Sequence, residues 1–327
     1  MWNKKIFLLG LILLISMSTV LSACGSSGSA KNYPSKPITL IVPFAAGGGT
    51  DAVARAIAAA ASKNLGGASI GIVNKTGGSG AVGMTEGANA KADGYTLTMV
   101  TEGIVVLPHL GNVSFTHNDF KPIALINFDP SAVTVRADSP FNTLEELLEY
   151  AKQNPGKLQV GTSATNTIWD LALSSLEKAT GLKFTHVPYE AGAAPAIKDL
   201  LGGHIDAITV SPGEVSAQVK AGELKTLAVM SGERQEIMPD VPTLKELGID
   251  LEVGAYRGIT VPKNTPDEIV KKLEEAFLKG AEDEEFINFM RGSGFGIFVR
   301  NSAGFADVIK EIDVHFGELL TDLGVKK

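Results

Sequence analysis

An α/β protein made of two similar lobes is what this 327-residue sequence predicts, on three observations. Strand-like runs alternate with helical ones from residue 38 onward. The alternation breaks near residue 137 and restarts with a second strand and helix set. A Pro-punctuated connection, MPDVPTLKELGI, then leads into LEVGAYRGITVP, a strand-like run that returns to the first set. Strands separated by one short helix call for a parallel sheet with helices on its faces. Two crossings, near residues 130–137 and 248–256, make a two-segment hinge with a ligand cleft between the lobes.

The chain begins outside this pattern. Lys4 and Lys5 precede the apolar run IFLLGLILLIS, and small residues follow in LSACGSSGSA, the three regions of a secretory signal. The run is too short and wrongly flanked for a membrane span. Cys24 is the only cysteine, so no intramolecular disulfide can form. The stretch LSAC that ends in it resembles the lipobox of bacterial lipoproteins. Residues 1–23 are therefore expected to be a cleaved signal peptide, Cys24 the lipidated new N-terminus, and residues 24–32 a flexible tether to the bacterial cell membrane.

ITLIVPF reads as the first strand and is followed by a helix over residues 50–64. ASIGIVN, a helix after Gly80 and YTLTMVT complete a βαβαβ beginning. After KPIALINFDPSAVTVRA, Thr143 opens the amphipathic helix LEELLEYAKQ, which stops at NPGK, where Gly156 suits a left-handed turn. The second set runs LQVGTS, a helix through WDLALSSLEKATG, KFTHVPY, a helix through APAIKDLLGG, DAITVS, a helix around EVSAQVKAG, and KTLAVMS. The tail has helices TPDEIVKKLEEAFLKGA and EEFINFMR, a strand GFGIFVR, and a last helix over residues 302–323. Lobe 1 is expected over residues 33–134 and 253–327, and lobe 2 over 135–252.

With 44% hydrophobic and 20% charged residues the chain can bury a sizeable core. Its net charge of -7 gives no general attraction for nucleic acid or an anionic membrane surface, so an anionic ligand must be held by local groups. The stretch LIVPFAAGGGTDAVARAIAAA supplies them: a strand, three glycines, then a helix whose N-terminal N–H groups suit an anion. Gly47, Gly48 and Gly49 let the backbone approach closely. Gly49 or Thr50 is the expected N-cap, with Asp51 in the first turn. No lysine follows, as GxxxxGK[ST] requires, and the third glycine of GxGxxG is missing. Asp51 beside the socket disfavours a phosphate, so a single carboxylate is the better guest. A second glycine cluster, IVNKTGGSGAVGM, places Asn74, Lys75, Gly78 and Ser79 at an adjacent strand end, with Ser79 expected to cap the next helix.

YPSKPITLIVPFAAGGGTDAVAR, IVNKTGGSGAVG, ADGYTL, VPYEAGAAPAIKDLLGGHIDA and VPKNTP, in that order, resemble the substrate-binding receptors of tripartite tricarboxylate transporters, the TctC or Bug family. The resemblance implies a type II periplasmic-binding-protein fold, two Rossmann-like lobes that close on a small di- or tricarboxylate. It also implies delivery of the ligand to a two-part (TctA/TctB-like) membrane permease, with no enzymatic activity, no cofactor and no metal. The expected receptor is a monomer. Backbone N–H groups and ordered water would hold one carboxylate in the first-lobe loops, which puts Phe44, Ala46, Gly47, Gly48, Gly49, Thr50 and Asp51 in one pincer, with Asn74, Gly78 and Ser79 nearby. The second pincer matches GTSATNTIWD, with Thr162, Ser163, Ala164 and Thr165 after Gly161. Asn166 and Trp169 depart from the family's usual glycine and serine followed by histidine. Ser211, at a strand's carboxyl end, is a further site candidate, whereas Asp206 reads as structural. Arg257 interrupts an apolar return strand near the hinge. It pairs a second carboxylate if it faces the cleft and matters little if it faces solvent.

Catalytic readings have less behind them. The five histidines, His109, His117, His186, His204 and His315, lie far apart and form no metal-ligand spacing. GTSAT lacks the GxSxG frame of a nucleophile elbow. A hydrolase or transferase using Ser163 or Asp51 would need a general base that no motif supplies. A carboxylate sensor for a membrane signalling partner would share the receptor fold and differ only in what it docks on.

Overall fold

Burial on both faces marks the strands that form the centre of each lobe. In the computed structural model, which describes residues 32–190 and 192–327, these strands fall in two mixed sheets. The expected signal peptide, Cys24 and the tether up to residue 31 lie outside the described residues. Residues 32–35 carry no helix or strand.

The first run comprises β1 (Ile38–Val42), α1 (Gly49–Ser62), β2 (Ile70–Asn74), α2 (Ala81–Ala88), β3 (Thr96–Val100), α3 (Gly103–His109) and β4 (Phe120–Pro130). The second comprises β5 (Ala132–Arg136), α4 (Leu144–Gln153), β6 (Gln159–Ser163), α5 (Ile168–Thr180), β7 (Thr185–Tyr189), α6 (Ala193–Leu201), β8 (Ala207–Val210), α7 (Pro212–Lys220) and β9 (Leu224–Val229). The tail adds β10 (Gly254–Pro262), α8 (Asp267–Ala281), α9 (Glu284–Ser293), β11 (Arg300–Asn301) and α10 (Ser302–Asp322).

The first sheet has the order β11-β4-β10-β3-β1-β2 and the second β7-β6-β8-β5-β9. β1 pairs in parallel with β2 and β3, while β10 runs antiparallel between β3 and β4. β6 repeats this between β7 and β8, and β5 runs antiparallel between β8 and β9. The two lobes therefore share one plan, and each borrows its antiparallel insert from the far side of a crossing. Sequence patterning follows the plan: β1 (ITLIV) is buried along nearly its whole length, whereas the edge strand β2 (IGIVN) alternates.

The crossings meet at a small backbone hub. β4 passes into β5 through Ser131 alone, whose N–H donates to the Val253 carbonyl at 2.9 Å. The Val253 N–H donates to the Met230 carbonyl at 3.0 Å, and the Met230 N–H donates to the Ser131 carbonyl at 2.7 Å. The three residues close a ring of hydrogen bonds between both connecting segments.

Several local expectations change. β5 begins at Ala132, inside the stretch expected for lobe 1, because its ladder partners are β8 and β9. The N-cap of α1 is Gly48, not Gly49 or Thr50. Ser79 does not cap α2, since Gly80 occupies that position and no side chain bonds there. The strand expected for GFGIFVR shrinks to β11. There the Gly296 N–H is taken at 2.8 Å by the Asp129 carboxylate instead of a ladder carbonyl. Helix α3 had no signal strong enough to separate it from an apolar strand.

α2 lies directly on the first-lobe loops. A Cβ on Gly83 would come within 2.8 Å of both the Pro43 Cα and the Lys75 carbonyl oxygen, so backbone must shift to admit it. Gly83→Ala is expected to cost about 1–3 kcal/mol, as overpacking does. Chemical denaturation of the variant checks this, and an unchanged midpoint would contradict the packing.

Candidate ligand-binding site

Both lobes build the same device where their central strand ends. In the first, β1 leads through residues 43–48 into α1, and Asp51 is the third helical residue. Its Oδ2 accepts the N–H of Gly47 at 2.9 Å. In the second, β6 leads through residues 164–167 into α5, whose third residue is Asp170, and its Oδ2 accepts the N–H of Asn166 at 2.9 Å. Gly47 and Asn166 both lie in the left-handed region, with φ of 83° and 59°. Both helix N-caps, Gly48 and Thr167, lack a side-chain cap bond. The aspartate thus folds the loop back, and the first-turn N–H groups of α1 and α5 have no intrahelical partner. Two such ends suit the oxygens of an anion.

Each aspartate is also tied to the neighbouring parallel strand. Asn74, the last residue of β2, donates to Asp51 Oδ1 and to the Phe44 carbonyl, both at 2.9 Å. Arg55 donates to Asp51 Oδ2 at 2.9 Å and to Asn74 Oδ1 at 3.2 Å. In the second lobe His186, on β7, donates from Nδ1 to Asp170 Oδ1 at 2.7 Å. Thr162 donates to the same oxygen at 3.3 Å, and Ser163 shares a hydrogen bond with Thr167. His186 Nε2 faces Glu177 at 3.7 Å, so this imidazole is not a base for Ser163.

The structure therefore draws Phe44, Gly47, Asp51 and Asn74 into one network. The second glycine turn, with Gly77 to Gly80 all at positive φ, joins it because Gly80 packs against the Phe44 ring. Gly78 and Ser79 lie at that turn, and Ala46 and Gly48 are exposed beside it. Lys75 pairs with Glu86 at 3.2 Å. Thr162, Ser163 and Ala164 are buried and Thr165 is exposed. Trp169 is buried in α5, its carbonyl accepting from Thr209 at 2.9 Å. Asp206 accepts the Gln159 N–H at 2.8 Å, a bond between strand ends.

Arg257 sits behind the first helix terminus, only 3% exposed. Its Nε donates to Thr50 Oγ1 at 3.0 Å, and Nη1 donates to Asn127 and Asp129. Its guanidinium is already ion-paired with Asp129, so it reaches the loop through Thr50. Ser211 is the buried N-cap of α7, and its hydroxyl and N–H both donate to Glu214. Burial holds the Glu214 carboxyl above its ordinary value, against the Arg257 charge and the Ser211 bonds. Asp129, Asp170, His186 and Glu214 were not singled out by residue type. The readable signal for Asp170 was its spacing, Asn166-x3-Asp170, which repeats Gly47-x3-Asp51. A surface hollow of about 940 Å3 beside Lys36, Glu86 and Tyr95 is at the amino end of β1 and touches none of the expected site residues.

The family described as "Tripartite tricarboxylate transporter family receptor" matches residues 53–325. The chain belongs to the tripartite tricarboxylate transporter receptor family. This family consists of solute-binding receptors and not enzymes, and this receptor has their two-lobed fold. It is 32% identical over 304 residues to a UPF0065 protein of Bordetella pertussis, covering 92% of this chain and 94% of the relative. It is 44% identical to a TctC solute-binding protein from Polaromonas solved without ligand, with a TM-score of 0.76 over 89% of this chain and 99% of that one. The structure of MatC from Rhodopseudomonas palustris with bound malate is 27% identical, with a TM-score of 0.77 over 88% and 100% of the two chains.

The ties on each aspartate give opposite pH signatures. Burial pushes the Asp51 carboxyl up, but bonds from Arg55, the Gly47 N–H and Asn74 outweigh it and hold it below its ordinary value. Its stabilisation is complete above the ordinary carboxylate range and is lost as pH falls through the lowered value. For His186 burial acts downward, but the Asp170 and Glu177 carboxylates outweigh it and hold the imidazole above its ordinary value. That stabilisation is complete below about pH 6.5 and is lost as pH rises through the raised value. Asp51→Asn is expected to lose about 1–3 kcal/mol at neutral pH, with the deficit shrinking below about pH 4. The His186→Gln deficit is expected to be largest near pH 6 and to shrink toward higher pH. Urea denaturation of both variants across pH reads this directly, and a pH-independent deficit would show that the group is not ion-paired.

Proposed function

We propose that this receptor is extracytoplasmic and lipid-anchored through Cys24, and that it captures a small organic di- or tricarboxylate between its lobes for a two-part membrane permease. The observation that carries the reading is the matched pair of helix ends, α1 and α5, each uncapped by its N-cap side chain and each shaped by an aspartate at the third position. A carboxylate seated on one end satisfies only half of the pair. Closure is favoured when the ligand touches both lobes, because only differential affinity shifts an open and closed equilibrium. The malate bound to MatC supports carboxylates as the ligand class. The residues expected to face the ligand are the backbone of Phe44, Ala46, Gly47, Gly48, Gly49, Thr50 and of Thr162, Ser163, Ala164, Thr165. Asp51, Asn74, Gly78, Ser79, Ser211 and Arg257 shape or flank the site.

Isothermal titration and thermal shift with malate, succinate, adipate and citrate test the reading. A binder present at a hundredfold excess over its Kd should add about 2.7 kcal/mol of stability. No response to any acid would overturn it. Cys24→Ser should abolish lipid labelling and release the protein from the membrane fraction. Retention of both would locate the anchor elsewhere.

A further inference from the structure

The aspartates that shape the two helix ends are tied by different kinds of cation. Asp51 bonds Arg55, a guanidinium that keeps its charge across the working pH range. Asp170 bonds His186, and an imidazole gains or loses its charge near neutrality. The first helix end therefore has a fixed charge balance and the second a titratable one.

His186 is placed to carry a proton on both ring nitrogens. It lies on β7, the edge strand of the second sheet, opposite Val160 of β6. Tyr189, three positions on, points to the other face and donates to Asp199 of α6 at 2.7 Å. On the His186 face the charged groups are Asp170 and Glu177, both on α5, and Lys183, which reaches Glu177 at 3.4 Å from the turn before β7. Nδ1 donates to Asp170 Oδ1 at 2.7 Å, and Nε2 faces Glu177 Oε2 at 3.7 Å. A neutral ring with its hydrogen on Nδ1 turns a lone pair toward Glu177, whereas an imidazolium offers an N–H to each carboxylate. Burial opposes that charge, but the two carboxylates outweigh it and hold the imidazole above its ordinary value.

With the ring protonated, these four groups balance, two carboxylates against two cations. When the proton leaves Nε2, the Nδ1–H still bonds Asp170, so the loop keeps its path. One negative charge is then left in excess, a single hydrogen bond behind the first-turn N–H groups of α5. An anion on that helix end meets a repulsion that the first lobe, with Arg55 on Asp51, never develops.

We propose that His186 is a positioning residue that acts through Asp170, its charge setting how tightly the second lobe holds the ligand's carboxylate, so that the receptor grips its acid when His186 is protonated and loosens when that proton leaves. This rests on the carboxylate-receptor reading above and adds a pH control to its second pincer. The test is isothermal titration of malate, succinate, adipate and citrate at pH 6.5 and pH 9, with the wild type and His186→Gln side by side so that the acid's own ionisation cancels. The wild type should bind about threefold to tenfold more tightly than the variant at pH 6.5 and equally at pH 9, the size of one partly screened charge. His186→Arg, which keeps a fixed cation beside Asp170, should hold the tighter affinity at both. The imidazole NMR resonance that His186→Gln removes should titrate at higher pH in the loaded wild type than in the empty one, because linkage is reciprocal. An affinity ratio that is the same at both pH values, or a resonance whose titration the ligand does not move, overturns the inference while the carboxylate reading stands. Binding of none of the four acids overturns both.

Discussion

The rest of the site depends on one hydrogen bond made twice. A carboxylate at the third helical position takes the N–H of the residue four positions earlier, Gly47 to Asp51 and Asn166 to Asp170. A strand that runs straight into a helix would leave its first-turn N–H groups wherever the chain happens to turn. Pinning the residue before the N-cap sets the loop's path and keeps the aspartate occupied with its own loop. The left-handed φ of Gly47 and Asn166 is the local consequence, tolerated because glycine has no Cβ and asparagine is among the side chains that accept that region best.

Around this pair the lobes are joined by buried polar groups as well as by apolar packing. Arg257 ties the α1 terminus, through Thr50, to Asn127 and Asp129 on β4, the strand that leads into the crossing at Ser131. Asp129 has its other oxygen filled by Asn127 and the Gly296 N–H, so the tail after α9 is anchored at the same place. Breaking a buried pair of this kind leaves an uncompensated charge, which resists rearrangement. The ring of backbone bonds among Ser131, Met230 and Val253 joins the connecting segments next to this charge centre. Any motion of one lobe against the other has to pass through these residues.

Much of the fold was legible because its signals are local. The buried run ITLIV, the caps at Thr143 and Asn301, and the glycine after α5 act within a few residues, and strand and helix alternation followed from them. The glycine loop was legible for the same reason, since close approach and positive φ demand glycine regardless of what lies opposite. GFGIFVR misled because its apolar content fits a strand, while the Gly296 N–H is claimed by Asp129, 167 residues earlier in the chain.

By itself, the sequence determined the α/β class, the two lobes, the position of both anion-ready helix starts and, through its ordered motifs, the receptor family. Only the tertiary structure decided what the charged residues do. Asp51 looked like a group facing the ligand and is bonded instead to its own loop, to Arg55 and to Asn74. The sequence leaves Arg257 open between the cleft and solvent, and it is buried and paired with Asp129, whereas Glu102, which no pattern marked, has an oxygen without a donor. Periodicity reports which face of an element is buried, but the partner of a charge is set by strands that meet from distant parts of the chain.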